Sequence, residues 1–106
     1  MPVEPHQDLV AMFTLHLQEL SQEIIQTTGF HPNFFMHMVA ERGGFATALA
    51  LLSKPKMSDG LMRLQKENAL HLSLEAAVLQ EPWSTLFEEE QKKTARKWLR
   101  QLGYEP

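Results

Sequence analysis

Between Gln7 and Thr28 the apolar residues Leu9, Phe13, Leu17, Leu20 and Ile24 recur at steps of three and four, with Val10, Met12 and Ile25 widening the stripe. That spacing puts them on one side of a helix and predicts a long amphipathic helix over 7–28, stopped at Gly29. His31-Pro32 opens the next element, because proline suits the first turn of a helix and biases the residue before it away from helical geometry. A second helix is predicted from Pro32 to about Arg42. Gly43-Gly44 then breaks the pattern in the way a left-handed C-terminal cap requires, and Phe45 to Leu52 resumes it with small, strongly helical residues. Lys54-Pro55-Lys56 ends this third segment.

Further along, three short apolar-periodic segments are each preceded by a hydroxyl residue: Ser58, Ser73 and Thr85. A hydroxyl at a helix start accepts a hydrogen bond from an otherwise unpaired backbone N–H, and the Thr85/Glu88 spacing fits a capping box. Helices are therefore predicted from Ser58 to about Glu67, from Ser73 to about Gln80, and from Thr85 to about Leu102. Asn68 to Leu72 forms a linker whose leucines turn toward the core, and Glu81-Pro82 stops the fifth helix. On the last helix Phe87, Thr94, Ala95, Trp98 and Leu102 make an inward stripe, while Glu88, Lys92, Arg96 and Arg100 line another face. With no useful β-alternation, the chain reads as all-α: a compact bundle of about six helices in one domain, a long first helix over 7–28 and a compact unit over 31–104.

At 106 residues, 43% of them apolar, the chain has material for one core, and 22% charged residues keep the outside polar. It contains no cysteine, which excludes a disulfide framework, thiolate zinc sites and a thiol nucleophile. The formal net charge of −3 supplies no global attraction to nucleic acid or anionic lipid. The start, Met1-Pro2-Val3-Glu4-Pro5-His6-Gln7-Asp8, lacks the basic and apolar stretches of a secretory signal, and no apolar run approaches the about 18 residues that span a bilayer. The expectation is a cytoplasmic protein with no membrane contact.

Few residues point to catalysis. Five histidines, His6, His16, His31, His37 and His71, raise the question of a metal, and His37 and Glu41 stand one helical turn apart. Zinc needs about three or four ligands, no H-E-x-x-H is present, and neither metal nor cofactor is expected. Glu88-Glu89-Glu90 complements the dipole at a helix start, with Glu88/Lys92 and Glu89/Lys93 as i,i+4 pairs. Ser58, Ser73 and Thr85 have capping roles, and neither a G-x-S-x-G turn nor a phosphate loop occurs. The chain is not expected to be an enzyme.

Two surfaces remain as candidates for binding. The first helix and the run Phe34, Phe35, Met36 and Met38 carry more apolar side chains than a chain of this length readily buries, and surplus apolar surface implies a partner. Leu9, Phe13, Leu17, Leu20 and Ile24 are the expected contact with a protein partner or in a homo-oligomer. The densest basic group, Lys92, Lys93, Arg96, Lys97 and Arg100, forms the alternative: a nucleic-acid-binding face on the last helix.

Phe34-Phe35-Met36-His37-Met38, Gly43-Gly44, Ala48 to Leu52, Ser58-Asp59-Gly60-Leu61, Leu64, Leu72-Ser73-Leu74-Glu75, Val78-Leu79, Trp83, and Leu86-Phe87 through Leu99 together resemble a small bacterial all-helical domain. That family, of unknown biochemical role, is associated with modular proteins as an appendage, sometimes beside nuclease-type modules. The similarity covers roughly residues 31–104 and rests on the ordered set S-x-G-L, L-S-x-E and W-x-x-L-F. It implies a helical fold and a bacterial DNA-related or defence setting, and it carries over no catalytic residues. The expected function is a non-catalytic helical interaction module, an adaptor or accessory subunit; the alternative is a small DNA-binding accessory protein.

Overall fold

The computed structural model describes residues 5–106; the reading of Met1 to Glu4 as part of a start without a secretory signal lies outside it. In chain order it contains α1 (Pro5–Thr28), α2 (Asn33–Arg42), α3 (Gly44–Leu52), α4 (Asp59–Lys66), a 3₁₀ turn (Leu70–Leu72), α5 (Leu74–Val78), a second 3₁₀ turn (Trp83–Leu86) and α6 (Glu89–Gln101). No strand occurs among the described residues. The fold is all-α, with six α-helices among the described residues and a long first helix.

Local chemistry explains most boundaries. At the end of α1 the Thr28 hydroxyl donates to the Ile24 carbonyl at 2.7 Å and accepts from the Phe30 N–H at 3.0 Å, while Gly29 turns the chain at φ +76°. Gly43, at φ +83°, closes α2 by donating to the Val39 carbonyl at 2.9 Å. Helix resumes at Gly44, one residue before the expected Phe45, because α1 crosses there. The Gly44 N–H donates to Thr14 Oγ1 at 2.8 Å, and a Cβ at this position would stand 3.0 Å from Thr14 Cα and from Leu17 Cδ1. Only a residue without a side chain permits that approach.

Ser58 and Ser73 cap as expected, accepting from the Leu61 N–H at 3.0 Å and the Ala76 N–H at 3.1 Å. Thr85 does not cap. It belongs to the second 3₁₀ turn, and its exposed hydroxyl donates to the Pro82 carbonyl at 2.7 Å. Phe87 is extended, at φ −117° and ψ 148°, so α6 cannot begin before it. The cap is Glu88, in a reciprocal capping box with Gln91. The chain spends Trp83 to Phe87 delivering aromatic and leucine side chains to the core, which delays the helix by about one turn.

That core gathers around α1. Phe13 and Leu17 are fully buried. The Phe13 ring lies 5.5 Å from Trp83 and 5.5 Å, edge to face, from Phe87, whose other neighbour is Phe45. α1 packs against α2, α3 and both 3₁₀ turns, and α5 packs against α6. The radius of gyration of 13.2 Å matches a compact chain of this length, and α1 is held against the body through the buried Phe13, Leu17 and Ile24. Among the described residues no helix is long and apolar enough to cross a membrane.

Candidate functional site

Three of the five residues of the contact expected on α1 lie in the core. Phe13, Leu17 and Ile24 are buried and Leu9 and Leu20 are half-buried, because α3 and the two 3₁₀ turns already occupy that face. Phe13, Leu17 and Ile24, enclosed by their own fold, cannot meet a partner without unfolding it, whereas Leu9 and Leu20 keep part of their surface in solvent. Outward-facing apolar residues on α1 are Met12 and Leu15.

The basic face of α6 is of mixed sign. Glu89 receives Arg96 at 3.0 Å and Lys92 at 3.7 Å, and Glu105 lies 3.5 Å from Arg100. Lys93 and Lys97 are exposed. The expected Glu88/Lys92 and Glu89/Lys93 pairs are replaced by these contacts, since Glu88 is engaged as the helix cap.

A concave apolar surface lies elsewhere. The C-terminal end of α1, α2 and the connection into it, the α3–α4 connection, α4 and the start of α5 surround a groove of about 700 Å³. Its apolar walls include Ile24, Phe30, Phe34, Phe35, Met38, Met57, Leu61 and Leu64. Phe34 is 72% exposed, an aromatic ring left largely in water. Phe34 and Phe35 both line the groove, Phe35 half-buried and Phe34 exposed, so the apolar surplus of this run lies here. One wall is braced: the Arg63 guanidinium sits 4.7 Å above the Phe30 ring and donates to Glu67 at 2.9 Å. Lys54, Lys56, Asp59 and His31 are the exposed charged or titratable residues of the lining.

Glu75 also lines the groove, yet is 3% exposed. It stands in the first turn of α5, beside the Ser73 cap, and takes part in none of the ion pairs among the described residues. Burial pushes its carboxyl up from the ordinary 4.5 to about 7, against the opposing pull of its own backbone N–H. In the sequence Glu75 reads as one more acidic residue at a helix start, where such residues normally face water. The one available signal is its setting in Leu74-Glu75-Ala76-Ala77-Val78, a helical segment with no other polar side chain.

The histidines are dispersed. His16 stacks on Trp83 at 4.9 Å with its Nε2 buried and unpartnered, His37 Nε2 lies 3.1 Å from Glu41 Oε1 on the surface, and His31 and His71 are exposed; the His6 side chain falls outside the described residues. Among the described residues no group of three or more His, Cys, Asp or Glu side chains is placed to hold a metal ion. Comparison with protein-family models, with curated proteins and with solved structures finds no match to this chain.

Proposed function

We propose that the protein is a non-catalytic helical interaction module, an adaptor or accessory subunit, that receives an apolar segment of a protein partner in the groove between α2 and α4. The observation that carries this reading is Phe34, 72% exposed at a groove walled by Phe30, Phe35 and Met57. An aromatic side chain removes roughly 150–250 Å² from water when covered, and such residues at the centre of a concave patch dominate association energies. On the resemblance read from the sequence over residues 31–104, the proposed setting of this module is a bacterial DNA-related or defence system. The nucleic-acid reading has less support, because Lys92, Arg96 and Arg100 are engaged by glutamates.

The test compares the full chain with Phe34→Asp and with Lys93→Glu/Lys97→Glu in partner capture and DNA binding, circular dichroism confirming that each variant is folded. A partner whose capture is lost in Phe34→Asp, retained in the lysine variant and insensitive to salt is the expected result. If Phe34→Asp retains everything bound while the lysine variant loses DNA in a salt-dependent manner, the nucleic-acid reading replaces this one.

A further inference from the structure

We propose that the groove selects partner segments in which a lysine or arginine stands beside the apolar anchor, the cationic nitrogen being received at Glu75. The inference rests on the reading of the groove as a docking site. Glu75 is 3% exposed, belongs to the lining of an apolar groove and takes part in no ion pair among the described residues. Burying a carboxylate without a counter-charge is unfavourable, and burial raises the proton affinity of Glu75 accordingly. A cation delivered by an occupant relieves that cost, and it does so where water is scarce and charges are weakly screened.

The walls suit the rest of such a side chain. Lysine carries an apolar stem that packs along hydrophobic surface while its charged end reaches further, and Phe34 and Phe35 of the lining are aromatic, a side-chain class that attracts cations. Arg63 already uses Phe30 in this manner at 4.7 Å. Lys54 and Lys56 oppose a cationic occupant, but both are exposed, so their repulsion is screened by water and salt; Asp59, also exposed on the lining, offsets part of it. The buried group therefore sets the preference.

The test titrates the isotope-labelled full chain with the peptides acetyl-Leu-Lys-Leu-amide, its Nε-acetyl-lysine, Gln and Glu analogues, following groove resonances and the Glu75 carboxyl carbon by NMR. The lysine peptide is expected to bind at least roughly tenfold more tightly than the acetyl-lysine and Gln peptides, as a charge-assisted contact warrants, and to shift the Glu75 carboxyl toward its ionised value. In Glu75→Gln the lysine peptide should fall to the level of the Gln peptide, which itself is unaffected. Equal binding of lysine and acetyl-lysine peptides, preference for the Glu peptide, or an unmoved Glu75 carboxyl overturns the proposal while leaving the groove as a docking site. These wild-type readouts decide the matter even if the variant fails to fold. If none of the peptides perturbs Phe34 or Phe35, the docking reading itself falls.

Discussion

Glu75 links one residue's burial to the stability of the whole chain. Its carboxyl ionises near 4.5 in the unfolded chain and at about 7 when folded. Between those values the folded state holds a proton that the unfolded state has released. The contribution is thus fully present below about 4.5, declines as pH rises, and is lost above about 7. The full swing attributable to this group is up to about 3 kcal/mol. Glu75→Gln should remove that swing and leave the protein more stable than wild type at pH 8 but not at pH 4.5, as read from urea denaturation midpoints. Parallel pH profiles in the two proteins would assign the dependence to other groups. Gly44 yields a second prediction at this scale: Gly44→Ala sets a methyl group 3.0 Å from the Thr14 backbone, which cannot yield as a side-chain tip can, and should cost about 1–3 kcal/mol. The Gly43-Gly44 turn is legible in the sequence. The crossing of α1 that makes the second glycine necessary is not, because Thr14 and Leu17 are distant along the chain.

At the scale of elements, caps separate what nearby residues dictate from what packing dictates. Ser58 and Ser73 accept from backbone N–H groups three residues ahead, so their role can be read from a four-residue window. Ser73→Ala should lower stability by roughly 0.5–2 kcal/mol, toward the upper end because its buried hydroxyl also donates to the Leu70 carbonyl at 2.6 Å. Thr85→Ala, by contrast, removes an exposed contact within a turn and should cost less than about 0.5 kcal/mol. Thermal denaturation of the two variants side by side checks both; an equal loss would return Thr85 to a capping role. Two overlapping hydroxyl or acidic starts compete at 85–91, and local pattern cannot choose between them. The choice falls to Glu88 because Leu86 and Phe87 must first reach the core.

For the whole molecule, α1 forms one side of the core, and Phe13, Leu17 and Ile24 of its apolar stripe are closed to partners. Phe13→Asp should therefore abolish cooperative folding, since it places an unpaired charge at a site with no exposure and removes the ring that meets Trp83 and Phe87. Phe34→Asp should leave the melting temperature within a few degrees of wild type, roughly the effect of a surface change below about 0.5 kcal/mol. Circular dichroism melting of both variants distinguishes a core α1 from a docking α1; a folded Phe13→Asp protein would contradict the packing described.

Helical periodicity, glycine stops and serine caps were sufficient in the sequence to establish an all-α chain with a long first helix, because each depends on residues within about one turn of one another. Even the excess of apolar side chains around Phe34 and Phe35 was visible as a matter of composition and spacing. Which apolar face became core was settled by the tertiary structure alone: the stripe of α1 is consumed by α3 and the two 3₁₀ turns, while Phe34 is left in water. The same long-range packing created the groove and enclosed Glu75 within its wall. Periodicity identifies the face of a helix that avoids water, but what covers that face is decided by residues far away in the chain, and so are the burial and proton affinity of a carboxyl group beside it.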